Sequence, residues 1–350
     1  MLILHSIHRI YRVKTLPQDP MEPANLLPSR RRAVLQALAA LALPAGLTVR
    51  AAQWPERSIT FVQPYAPGTA TDASSRYIAQ QISERWKVPT VMEHKVGANS
   101  IIGTEYVARA APDGYTFLIT STGFFTNEAM VSKLPYHPLD SFVPVAKVGG
   151  VQLLLCVPAN SRLRSAKELV DFARANPGRL TYASGGNGSS QHLSGAQLGT
   201  LSNTQLMHVP YKAQVPAAVA TASGEVDFSF IAIATAKPLL AADKIRVLAV
   251  SGSSRSASFP EMPTVAEAGV PGFEWVANTF FLAPANTPRD IVRKLSGVLG
   301  EVAGSDGYRE FTKGIGMDAD FMGEAEWSRT IAAERQRYLQ VVRASGAKAE

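Results

Sequence analysis

The 350-residue chain has one cysteine, Cys156. That excludes an intramolecular disulfide and a cysteine-rich zinc site. Its six histidines, at 5, 8, 94, 137, 192 and 208, never form an H-x-x-x-H pair, so the helical two-histidine metal motif is missing. No serine sits in a G-x-S-x-G elbow, no Walker loop is present, and Gly186-Asn187-Gly188 lacks the third glycine of G-x-G-x-x-G. No run of 18 apolar residues offers a membrane span. Charge is sparse at 18% of residues, while hydrophobic residues make up 46%. This balance supplies a sizeable core and argues against disorder. There is no internal repeat and no low-complexity tract.

The formal charge of +7 suggests a nucleic-acid partner until it is located along the chain. Residues 1–51 hold seven basic residues against two acidic ones, which leaves only +2 for the remainder. A body this close to neutral gives no electrostatic reason to expect DNA or RNA. The basic residues belong to a leader. Arg30-Arg31-Arg32 precedes the apolar stretch Ala33 to Leu47, and Val49 and Ala51 occupy the −3 and −1 positions of a cleavage site. The pattern is that of a secretory signal peptide, Sec or Tat, ending near residue 51. Residues 1–28 are long for an n-region and contain Pro17, Pro20, Pro23 and Pro28, and Met21 would serve as an ordinary start. The expected mature protein is soluble and periplasmic. A lone cysteine suits that compartment, having no partner within its own chain to oxidise with.

Beyond the leader, short apolar strands alternate with helical patterns, which implies an α/β fold with largely parallel sheets. Strands are expected at 59–62, 90–92, 115–120, 142–157, 180–183, 205–209, 226–230, 245–250 and 275–282. Capping boxes at Ser165–Glu168 and Thr264–Glu267 mark helix starts, and Thr287-Pro288 reads as cap and first position of another helix. The two long β-rich stretches bracket a complete α/β unit. This predicts two domains joined by two crossings, with 151–276 inserted between 52–150 and 277–350.

Three segments share one layout, in which a strand leads through small polar residues into a helix: 67–72, 121–123 and 184–190. Such loops lie at the carboxyl ends of strands, where open α/β sheets bind ligands. A helix N-terminus there offers unpaired N–H groups and a positive partial charge, and small residues let a carboxylate approach closely. Cys156, within Leu153–Val157, reads as a core residue. His192 is either a ligand contact or bonded to a carbonyl, Lys212 is solvated or paired with an acid, and Asp227 is a cleft acid or a strand-end residue.

The motifs resemble those of one family, the extracytoplasmic, Bug-type receptors of tripartite tricarboxylate transporters. The resemblance runs from Trp54-Pro55-Glu56-Arg57 through Pro64-Tyr65-Ala66-Pro67-Gly68 with Asp72, and Ala111-Pro112-Asp113-Gly114-Tyr115. It continues through Tyr182-Ala183-Ser184, His208-Val209-Pro210-Tyr211-Lys212 and Pro263-Thr264-Val265-Ala266-Glu267-Ala268-Gly269. It implies a two-lobed, type II-like periplasmic binding fold, two α/β domains that close on a small organic carboxylate. It also implies no catalysis, no cofactor, a monomer, and delivery of the ligand to membrane transporter components. The alternative is a sensory role beside a membrane signalling protein. The site residues carried over are Tyr65, Ala66, Gly68, Thr69, Asp72, Ser121, Thr122 and Gly123 from one lobe. From the other they are Ser184, Asn187, Gly188, Ser189, His192 and Tyr211. Thr69 and Ala70 stand where the family usually has glycines, and His94-Lys95-Val96 replaces a more usual Asn-Arg-Pro.

Overall fold

The structure, a computed structural model, describes residues 54–347; the leader expected at 1–51 lies outside these residues. The described residues begin with β1 (Ile59–Gln63), α1 (Ala70–Trp86), β2 (Thr90–His94), α2 (Ile101–Ala108), β3 (Thr116–Thr120) and α3 (Gly123–Met130). The long strand β4 (Phe142–Pro158) follows, then α4 (Ala166–Ala175), β5 (Thr181–Ser184), α5 (Ser190–Ser202), β6 (Met207–Pro210) and α6 (Gln214–Ser223). Next come β7 (Phe228–Ala232), α7 (Ile233–Ala241), β8 (Ile245–Val250), β9 (Val276–Pro284), α8 (Arg289–Ala303), α9 (Asp306–Gly314), β10 (Met322–Gly323) and α10 (Glu324–Ser345). Among the described residues, no helix is long and apolar enough to cross a membrane.

The strands form a mixed sheet in the order β2-β1-β3-β9-β4-β7-β5-β6, with β8 and β10 also on β4. The expected parallel pairs exist, β1 with β2 and β3, and β5 with β6 and β7. Every other pair is antiparallel, which corrects the largely parallel reading, and each of these includes β4 or β9. Both strands are apolar and mostly buried, a pattern that a parallel and an antiparallel strand share when both faces are covered.

β4 is the element that joins the two halves of the sheet. Its residues 142–152 pair with β9, while Leu153 to Pro158 pair with β7 and β8. The register slips between Lys147 and Gly150. Gly149 takes φ +119°, and a Cβ there would lie 2.3 Å from the Asp318 carbonyl oxygen, so this position requires glycine. Beyond the slip the side chains alternate. Leu153, Leu155 and Val157 enter the main core with Phe228, Phe230, Trp275 and Tyr338. Leu154 and Cys156 enter a separate cluster with Ile231 and Val250. Cys156 is fully buried, and burial pushes its thiol well above the usual range; it is a core residue.

Two start signals behave differently from the sequence reading. The Thr264–Glu267 box makes its reciprocal bonds, with Glu267 N–H donating to Thr264 Oγ1 (3.0 Å) and Thr264 N–H to Glu267 Oε2 (3.1 Å). Yet only a turn follows, because Gly269 (φ +109°) and Pro271 end it at once. At α8 the cap is Pro288, while the Thr287 hydroxyl donates back to the Pro284 carbonyl. α9 was not foreseen. Gly304 ends α8, and Ser305 then caps a new helix by accepting the Tyr308 N–H.

Candidate functional site: a cavity between three helix N-termini

The first loop leads from β1 into α1. Thr69 is the cap of α1, its Oγ1 accepting the Asp72 N–H at 3.1 Å. The Asp72 carboxylate returns the favour to the Gly68 N–H at 2.9 Å, a reciprocal arrangement in which Gly68 takes φ +91°. That carboxylate is buried, with Arg76 Nε at 3.0 Å and His94 Nε2 at 3.3 Å. His94 Nδ1 lies 2.9 Å from the Tyr65 carbonyl, so Nδ1 carries the proton and donates. The Tyr65 hydroxyl crosses to the second loop, lying 3.2 Å from Thr120 Oγ1 and accepting the Ser121 N–H at 3.2 Å. Its burial raises the phenol above its ordinary range.

The second loop, Ser121-Thr122, opens α3 at Gly123. A Cβ at Gly123 would stand 3.4 Å from the Tyr65 hydroxyl. The third loop leads from β5 into α5, where Ser189 Oγ accepts the His192 N–H at 3.2 Å as the cap. Gly188, at φ +72°, donates its N–H to His192 Nδ1 at 3.1 Å.

These three loops meet. A cavity of about 270 Å³ is lined by Thr69 and Thr71 from the start of α1, by Ser121, Thr122 and Gly123 from the start of α3, and by Gly188, Ser189 and Ser190 from the start of α5. Tyr65, Asn99, Thr126, Leu193, Trp275 and Ala277 complete the wall. None of these side chains carries a charge. The caps satisfy Asp72 and His192, but the N–H groups ahead of them in each first turn have no intrahelical acceptor. Three positive helix ends therefore converge on one uncharged chamber, which suits an anion. The chamber continues into a wider cleft of about 940 Å³, since Asn99, Gly188 and Ser189 line both. The wider cleft also touches Asn187, Tyr211 and Lys212.

The structure sorts the expected residues. Tyr65, Thr69, Ser121, Thr122, Gly123, Gly188 and Ser189 line the chamber, and Asn187 and Tyr211 line the wider cleft. Tyr211 is held there by donating its hydroxyl to Glu225 at 2.7 Å. Ala66, Gly68, Asp72 and Ser184 line neither. Asp72 is occupied as described, and Ser184 Oγ accepts the Gly186 N–H and lies 2.6 Å from His208 Nε2. His192 sits behind the third loop, on a separate cavity of about 1030 Å³. Asp227 accepts the Thr181 N–H and hydroxyl, each at 2.8 Å, and so ties β5 to the start of β7.

Sequence reasoning missed Trp275, Ala277, Asn99, Thr126 and Leu193. Trp275 is fully buried, its indole Nε1 has no partner among the described residues, and its backbone is pinned on both sides by Ser251. Asn99 reaches the wall because residues 98–100 all take positive φ, and its amide donates to Asn127 Oδ1 at 2.6 Å. Among the described residues, no group of three His, Cys, Asp or Glu could hold a metal ion.

Comparison with known proteins agrees with this geometry. The model of the tripartite tricarboxylate transporter family receptor matches residues 74–347. The UPF0065 protein in the tcbD-tcbE intergenic region of Pseudomonas sp. strain P51 is 36% identical over 314 residues, 89% of this chain and 94% of that protein. The R. palustris protein Rpa4515, solved with adipate, is 33% identical with a TM-score of 0.69, over 84% of this chain and 99% of that one. MatC (Rpa3494) from Rhodopseudomonas palustris, solved with bound malate, is 28% identical with a TM-score of 0.64, over 83% and 100%. The match along most of its length shows that the chain belongs to the receptor family of the tripartite tricarboxylate transporters.

Proposed function

We propose that this protein is an exported receptor that captures a small organic carboxylate between two lobes, 52–150 with 277–350 and 151–276, and passes it to a tripartite tricarboxylate-type transporter. The observation that carries the reading is the convergence of three helix N-termini on a chamber with no charged side chain. Such a site binds an anion through N–H donors and helix dipoles, without a cationic side chain in the chamber. Adipate and malate in the related structures support a carboxylate as the anion. Three or four charge-assisted hydrogen bonds at about 1.5–3 kcal/mol each suffice for a micromolar complex, about −8 kcal/mol, after ordering costs.

The role is capture rather than turnover, and the leader would place it in the periplasm. A thermal-shift screen of mono-, di- and tricarboxylates tests the binding. A ligand at 100 times its Kd stabilises by about 2.7 kcal/mol. Ligand recovered unchanged after prolonged incubation supports a receptor, and any conversion overturns that part. Mass spectrometry of the exported protein should find the mature N-terminus near residue 52. Retention of the full leader on cytoplasmic protein would contradict export.

A further inference from the structure

The carboxylate reading leaves unused a histidine pair behind the third loop. The imidazoles of His192 (α5) and His208 (β6) stack with ring centroids 3.9 Å apart and planes 8° from parallel. Each reaches into the loop between β5 and α5. His192 Nδ1 accepts the Gly188 N–H at 3.1 Å, and His208 Nε2 lies 2.6 Å from Ser184 Oγ, which accepts the Gly186 N–H. Gly188 and the adjoining Ser189 and Ser190 line the anion chamber, whereas both histidines line the cavity behind it. We propose that His192, with His208 stacked on it, is a positioning residue that holds the third loop in its binding geometry only while its Nδ1 is unprotonated, making capture of the ligand sensitive to acid. The proposal rests on the carboxylate-receptor reading and adds a regulation to that same site.

The reasoning is one of donor and acceptor. A backbone N–H can point at Nδ1 only when Nδ1 has a free lone pair. A proton placed there leaves two donors facing each other, and the Gly188 N–H must turn away. A second imidazolium stacked 3.9 Å off would add like-charge repulsion. The surroundings offer little to hold such a charge. Tyr182 of β5 stacks on both rings, its phenol held above its ordinary range by burial, and its hydroxyl donates to the His192 carbonyl. Among the described residues, the charged side chain on this cavity is Arg174 of α4, itself a cation, paired with Asp171 and donating to the Ser202 carbonyl. No carboxylate of the described residues lines the cavity. The shifts run the same way. Burial lowers His192, and burial together with the His192 charge lowers His208 to about 4. Because the folded values lie below the ordinary histidine value, the neutral pair persists through mildly acidic pH. The binding geometry is lost only as pH falls through these lowered values. Two stacked rings titrate as a pair, in two steps.

The test is a pH titration of the ligand-free protein followed by NMR, from pH 8 to 4. The Gly188 amide signal should move with the first imidazole titration, and its hydrogen exchange should rise beyond the intrinsic pH trend. In His192→Gln, whose side-chain oxygen accepts without titrating, the movement should vanish. A Gly188 signal that stays fixed through the histidine titration overturns the inference. No ligand is needed, so this outcome stands apart from that of the carboxylate reading. With adipate as probe, the parent should weaken relative to His192→Gln by up to about tenfold per pH unit below the first titration. Protonation of adipate itself is common to both proteins. Parallel pH profiles for the two proteins would also overturn it.

Discussion

Asp72 shows how one side chain can be read correctly for place and left open for role. Its segment, 67–72, reads as a loop entering a helix, and in the structure Thr69 caps α1 through the Asp72 N–H. Whether its carboxylate faces a ligand depends on Arg76 and His94, which meet it from one turn on and from the next strand. Local spacing does not encode the second of these contacts. Asp72→Asn should lower stability by about 1–3 kcal/mol, read by urea denaturation, because the charge beside Arg76 is lost and one of the two oxygens that accept from Gly68 and Arg76 becomes a donor. It should change affinity for amino-bearing and plain carboxylates alike; selective loss of the amino-bearing class would place Asp72 at the ligand. Thr69→Ala removes the cap and should cost about 0.5–2 kcal/mol, with Thr69→Ser restoring most of it. Gly123→Ala asks a different question. Its Cβ meets only ordinary contacts at 3.4 and 3.5 Å, so the fold should persist while adipate binding weakens, as read by calorimetry. Trp275 was illegible as a wall residue for a simple reason: a large aromatic at a strand start reads as core, and this one is both.

The strand-loop-helix units were the most legible elements. Small polar residues between an apolar strand and an amphipathic helix describe both the geometry and its chemistry, so the three N-termini could be named before their convergence was known. Convergence itself is a property of strand order, and strand order followed from β4 and β9, whose direction their composition does not record. β4 changes partners at residues 149–153, and Gly149 marks the place with a φ no ordinary residue adopts and no room for a Cβ. Gly149→Ala should therefore destabilise by about 2 kcal/mol or more, through backbone strain and collision with the Asp318 carbonyl. Urea denaturation reads the loss directly. An unchanged midpoint would show that the strand can shift its bend elsewhere.

At the scale of the molecule, α10 and Trp275 belong to the same core as both halves of the sheet, so the proposed closure on a ligand would have to rotate the halves without breaking that packing. A ligand shifts an open–closed equilibrium only by its differential affinity for the two states. Small-angle scattering should show compaction on adding a carboxylate that calorimetry finds to bind, and none with a carboxylate that does not. Unchanged scattering with a tight ligand would mean that the chamber is filled without lobe movement. The central claim, an anion held by helix N-termini rather than by cationic side chains, is tested most directly by calorimetry at pH 7.5. Adipate would be compared with adipamide, its uncharged diamide, at low and at moderate salt. The account predicts that adipate or another dicarboxylate binds, that its diamide binds at least about a hundredfold more weakly, about 2.7 kcal/mol, and that affinity depends little on salt because the donors are enclosed. Equal binding of the diamide, or binding of no carboxylate at all, would contradict it.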